Sequence, residues 1–209
     1  MFETAFIAEI IKLGINARFA QQLWSEVASK YQEAGRFYHT LQHLEQIYLE
    51  LVPVKNEISD WQTVIASIAF HDVIYHPLSN DNEEQSAGFA EIKLSEAGSS
   101  ISQIEKCKKQ ILATKTHQLS PDADTNYFID ADLAILSAAP EKYSNYAANI
   151  RREYSQYADD IYNAGRKQVL MHFLQMQQIF KTPYFHRLYG SQAKKNLASE
   201  LARLMEQTL

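Results

Sequence analysis

What the chain has little of sets the first limits. It has a single cysteine among 209 residues, Cys107, so an internal disulfide and a cysteine-rich zinc site are both excluded. One free thiol suits a reducing compartment, and a cytoplasmic protein is the expectation. Six glycines and five prolines are few for this length. Turn-dense β-sandwiches and barrels use more of both, whereas Ala, Leu, Ile, Gln, Glu and Lys, all plentiful here, favour helices. No apolar run approaches the ~20 residues of a membrane-spanning helix. The opening MFETAFIAEIIKLG carries Glu3 and Glu9 within its apolar stretch, which suits an amphipathic helix rather than a signal peptide. The charge balance also lacks a positive excess. With 20 Lys and Arg against 25 Asp and Glu, the formal net charge is −5, which disfavours binding to long nucleic acid. A hydrophobic share of 46% excludes wholesale disorder.

What is present is three- and four-residue apolar spacing along nearly the whole chain. Phe6, Ile10 and Leu13 form a first stripe that stops at Gly14. Asn16 is placed to cap a second helix carrying Phe19, Leu23, Val27 and Tyr31. Leu41, Leu44, Ile47, Tyr48 and Leu51 form a third, closed by Pro53. Ser59 is a candidate cap for a fourth with Trp61, Val64, Ile65 and Ile68, expected to run until Pro77. A fifth follows the polar turn at 79–82 and ends near Gly98, and Ile101 to Leu112 mark a sixth. After Ser120-Pro121-Asp122 comes a helix through Ile129, Leu133 and Leu136. Pro140 then opens a long helix with a row of tyrosines from Tyr143 to Tyr157, read as packing. Two more lie around Val169 to Phe180 and Ala193 to Met205. The expectation is an all-α fold, one helical domain over 1–209 with about eight to ten helices.

Four polar segments interrupt this pattern: Arg36-Phe37-Tyr38-His39 with His43, Phe70-His71-Asp72, Asn82-Glu83-Glu84, and Asp130-Ala131-Asp132-Leu133. At ~100° per residue, Asp72 falls near the middle of the fourth helix's apolar arc and His71 at its edge. The same projection puts Asp132 inside the arc of the later helix and Asp130 on its flank. Two carboxylates aimed at a core repel each other, and a divalent cation is the simplest remedy. Mixed nitrogen and oxygen donors suit Mn, Fe, Co, Ni or Zn better than Ca. Asn82 with Glu83 and Glu84 also reads simply as a cap and acidic first turn.

A His after an Arg, an adjacent His-Asp further along and a distant Asp in an Ala-Asp-Leu setting resemble the HD superfamily of metal-dependent phosphohydrolases. The likeness covers roughly Arg36 to Leu133 and is greatest to a subgroup of uncharacterised hydrolases with Tyr-His, Phe-His-Asp, Asn-Glu-Glu and Asp-Ala-Asp-Leu motifs. It implies an HD-type helical fold whose metal-site core spans about 36–133, with helices from 140 to 209 packing on it. It implies one divalent transition metal (Mn, Co, Ni, Fe or Zn, with Mg allowed) held by His39, His71, Asp72 and Asp132. Asp130 stands as the alternative to Asp132. His43 is the alternative to His39, being nearer its helix's stripe, although the family pattern is apolar there. Asp72 and Glu83 are then the catalytic carboxylates. Arg36, Lys115 and His117 are candidates to hold substrate phosphate, although Lys115 and His117 equally suit a helix C-terminus. The adjacent His pair of binuclear members is missing, which favours one ion over two. The activity implied is hydrolysis of a small phosphorylated metabolite such as a nucleotide through a metal-activated water. No membrane or long nucleic-acid partner is expected, and pairing into a homodimer is compatible with this. The other reading is a non-catalytic, metal-organised module that binds a nucleotide as a sensor.

Overall fold

The computed structural model describes residues 1–206. Ten α-helices and two 3-10 segments make up its regular structure, with no strand among the described residues. None of these helices is long and apolar enough to cross a membrane. The chain divides into two compact units, Met1–Ala131 and Asp132–Leu209.

The first unit is built around α4 (Trp61–Phe70), against which α1 (Phe2–Lys12), α3 (Leu41–Leu51), α5 (Asn82–Glu96) and α6 (Ile101–Ala113) all pack. Every residue of α4 except Gln62 is buried, so this helix has no solvent face. On the α1 side, Phe6 packs edge-on against Phe70, with ring centroids 6.3 Å apart. The second helix, α2 (Ala17–Tyr31), starts as expected, with Asn16 Oδ1 accepting the Phe19 N–H at 2.8 Å. Gly14 ends the α1 segment in the left-handed region at φ +91°, a conformation that costs glycine little.

Several expected boundaries move. Asp60 rather than Ser59 caps α4, accepting from the Thr63 N–H at 3.1 Å and the Thr63 hydroxyl at 2.7 Å. The helix then stops at Phe70, well before Pro77, with His71 as its C-cap. Pro53 does not end its helical stretch outright. The chain tightens after α3 into a 3-10 segment, Val52–Glu57, with Pro53 in its first turn.

Helix α7 (Ala123–Asp132), all but its last residue in this unit, is tied to the start of α4 by one buried carboxylate. Asp124 accepts the backbone N–H groups of Ser59 (2.8 Å) and Asp60 (2.9 Å), and Lys106 Nζ lies 2.6 Å away. Burial alone would raise the Asp124 pKa. The Lys106 ammonium and the two N–H donors outweigh it and hold the carboxyl below its ordinary value.

The second unit contains a 3-10 segment, Leu133–Ser137, and helices α8 (Pro140–Glu153), α9 (Asp159–Gln175) and α10 (Pro183–Glu206). Pro140 occupies the first turn of α8 as expected. Asn196 of α10 donates to the carbonyls of Leu136 (2.9 Å) and Ala138 (2.8 Å). At its centre Arg166 grips Glu200 through Nε (2.7 Å) and Nη2 (3.0 Å), and the Tyr143 hydroxyl donates to the same carboxylate at 2.5 Å. All three side chains are buried. Arg151 instead pairs nearer the surface, 2.7 Å from Asp159.

Candidate metal centre

Three short segments place the donors. His43 lies in the first turn of α3, His71 and Asp72 follow the last residue of α4, and Asp132 is the last residue of α7. His39 comes from the irregular stretch before α3. His43 and His71 are almost wholly buried, at 3% and 1% exposure. His43, His71 and Asp132 each offer a donor atom within 4.8 Å of the other two, a group that can hold a metal ion.

Asp72 lies at the same point. Its Oδ2 is 3.0 Å from His71 Nε2, 3.8 Å from His39 Nε2 and 3.9 Å from His43 Nε2. His71 Nε2 is also 3.2 Å from His43 Nε2. Donors bound to one ion at about 2.1 Å sit roughly 3.0–3.4 Å from each other at right or tetrahedral angles, and the shorter separations here match.

Proton accounting supports the same conclusion. His71 Nδ1 lies 2.9 Å from the Ile68 carbonyl. A carbonyl oxygen only accepts, so Nδ1 carries the hydrogen, and the lone pair of a neutral ring would stand on Nε2, facing the cluster. That lone pair faces a carboxylate oxygen and a second imidazole. Electron-rich atoms so close require a proton or a cation between them, and the backbone bond to the far nitrogen is the support that metal-ligating histidines usually have. The donor set therefore fits a divalent transition metal. It contains nitrogen and carboxylate oxygen, with no sulfur.

Of the expected ligands, the structure groups His71 and Asp132, together with His43; Asp72 lies against His71, and His39 approaches Asp72 at 3.8 Å. The i, i+4 series His43, Ile47, Leu51, all buried on α3, is the sequence signal for His43. The two helix projections come out differently from expectation. His71 is the deeper of its pair and Asp72 the more open, because α4 ends before either and is buried on all sides. Asp130 is fully buried while Asp132 is only half-buried. Leu133 and Leu136 belong to a 3-10 segment, whose ~120° per residue does not extend the α7 arc. Burial alone would favour Asp130, but the geometry of donor atoms favours Asp132.

The remaining candidates have other engagements. Arg36 is buried, and its Nη atoms donate to the carbonyls of Asp72 (2.7 Å) and Val73 (3.0 Å). Lys115 Nζ is 2.6 Å from Glu84, 3.9 Å from Glu83 and 2.7 Å from the Asn80 carbonyl. His117, buried just past α6, is the one non-glycine residue at positive φ (50°) among those described, and its N–H returns to the Ala113 carbonyl at 2.9 Å. Glu83 sits in the first turn of α5, an end fastened to the turn after α4. Asn82 exchanges two hydrogen bonds with the His76 backbone (2.9 and 3.0 Å), and the Ser86 hydroxyl lies 3.1 Å from both the N–H and the carbonyl of Ile74. Asn82 therefore clamps a loop rather than capping its own helix.

Beyond that loop lies an open cavity of about 560 Å³, lined by Lys30, Glu33, Tyr75, His76 and Gln85 among others. The Tyr75 ring packs on the His39 imidazole with centroids 4.3 Å apart. Comparison with protein-family models, with curated proteins and with solved structures finds no match to this chain.

Proposed function

We propose that the protein is a metal-dependent phosphohydrolase acting on a small phosphorylated metabolite such as a nucleotide. The observation that carries this reading is the convergence of three imidazole nitrogens on Asp72 Oδ2, with Asp132 completing the buried His43 and His71 group. His39, His43, His71, Asp72 and Asp132 are the residues to hold the ion. When bound, a divalent ion supplies Lewis acidity toward a phosphoryl oxygen and lowers the pKa of coordinated water.

The chain's own groups account for the rest. The Ile68 carbonyl keeps the His71 ring in one tautomer and orientation. Asp72, the more open of the adjacent pair, is the candidate to accept a proton from an attacking water. Glu83 is the candidate to orient that water or to protonate the leaving group, supported by the attachment of its helix end to the Asp72 turn.

A second reading has its own support. Arg36 and Lys115, two of the three residues expected to bind phosphate, are already occupied by protein groups. With Arg36 and Lys115 engaged in this way, the site suits a metal-organised module that binds its ligand without turning it over. The discriminating experiment is phosphate release from phosphomonoesters and nucleoside di- and triphosphates with added Mn²⁺, Co²⁺ or Ni²⁺. The phosphohydrolase reading expects metal-dependent release that falls at least about 100-fold in Asp72→Ala. Metal uptake with no release from any member of the panel gives the binding module instead.

A further inference from the structure

Two of the clustered donors, His39 and Asp72, stand on backbone outside any helix, and such segments have no ladder of their own to fix them. Both are held by the same side chain. Arg36 Nη1 donates to the Asp72 carbonyl at 2.7 Å and to the His39 carbonyl at 3.4 Å, while Nη2 donates to the Val73 carbonyl at 3.0 Å. The guanidinium lies over two rings, 5.0 Å from the centroid of Tyr31 and 5.4 Å from that of Tyr75. The Tyr31 hydroxyl accepts the Asp72 N–H at 3.1 Å, so the same turn is gripped twice.

We propose that Arg36 is a positioning residue of the metal centre. Its guanidinium fixes the distance between the His39 stretch and the Asp72 turn, so that an imidazole and a carboxylate from separate segments meet at one point. This rests on the metal reading above and departs from the substrate-phosphate role the sequence suggested for Arg36. The chemistry requires arginine. A planar fork reaches carbonyls on two segments at once and stacks on aromatic rings, whereas a lysine ammonium is a point charge that does neither. Orientation of this kind acts on affinity, because ligands that must be ordered during binding bind more weakly.

The test is Co²⁺ titration of the metal-free protein, followed by visible absorption and calorimetry, for wild type, Arg36→Lys and Tyr31→Phe. Positioning through Arg36 gives a Co²⁺ affinity about 10–100-fold weaker in Arg36→Lys, with an altered ligand-field spectrum. Tyr31→Phe, which keeps the ring and removes one acceptor, gives a smaller loss of several-fold. Circular dichroism checks that Arg36→Lys is folded, and if it is not, Tyr31→Phe decides alone. Wild-type affinity and spectrum in the folded variants overturn the proposal while leaving the metal centre intact. Failure of wild type to take up Co²⁺ overturns both. Inorganic phosphate separates the older role: a substrate clamp predicts unchanged Co²⁺ binding in Arg36→Lys with weakened phosphate binding to the loaded protein.

Discussion

At the scale of single residues, environment decides chemistry. Cys107 is wholly buried, and burial pushes its thiol up to about 12. It is therefore inert in the folded protein. A thiol-reactive dye should label it slowly under native conditions and at once in denaturant, and fast native labelling would show that α6 opens. His43 shows how a donor can be legible and still be ranked second. Its place in the stripe with Ile47 and Leu51 was visible in the sequence, but the tautomer-fixing bond at His71 and the 3.2 Å approach of the two rings were not, because they join distant segments. His43→Ala should lower transition-metal affinity by at least about tenfold in a calorimetric titration. Unchanged affinity would return His43 to the role of a packed core histidine.

At the scale of elements, helix existence was legible and helix ends were less so. Asn16 and Pro140 announced their helices because caps and first-turn prolines act locally. The end of α4 did not announce itself. No proline or glycine marks Phe70, and the turn beyond is held by Arg36, Tyr31, Asn82 and Ser86, all from other elements. The Asp124 clamp on the start of α4 was equally invisible. Removing it in Asp124→Ala leaves two N–H groups and a lysine without their acceptor, a cost of about 1–3 kcal/mol measurable by urea unfolding. The buried Arg166–Glu200 pair is a stronger case. Glu200→Ala leaves the Arg166 charge buried without its carboxylate, which should cost about 3–5 kcal/mol.

Its pH dependence has a definite sign. Burial alone would raise the Glu200 pKa, but the Arg166 fork and the Tyr143 hydroxyl hold it below the ordinary carboxylate value. That stabilisation is complete above the ordinary Glu value near about 4.3 and fades as pH falls toward the lowered one. The urea midpoint should drop below about pH 4.5 in wild type and drop less in Glu200→Gln. An equal drop in both would assign the acid sensitivity elsewhere.

At the scale of the whole molecule, the all-helical fold followed from periodicity and from the scarcity of glycine and proline. The candidate metal site followed only in outline. The sequence showed that carboxylates and imidazoles were misplaced on apolar helices, but which of them meet depended on where α4 and α7 stop. An ion that binds only the folded chain must also stabilise it, so saturating Co²⁺ or Mn²⁺ should raise the unfolding temperature of wild type but not of His71→Ala. The most direct measurement is the metal content of purified, tag-free protein by elemental mass spectrometry, beside Asp72→Ala and His71→Ala. The predicted result is close to one equivalent of a transition metal in wild type, retained on dialysis and lost in both variants. Wild type that stays empty after exposure to Mn²⁺, Co²⁺, Ni²⁺ and Zn²⁺, or variants that hold metal as tightly as wild type, would contradict the account.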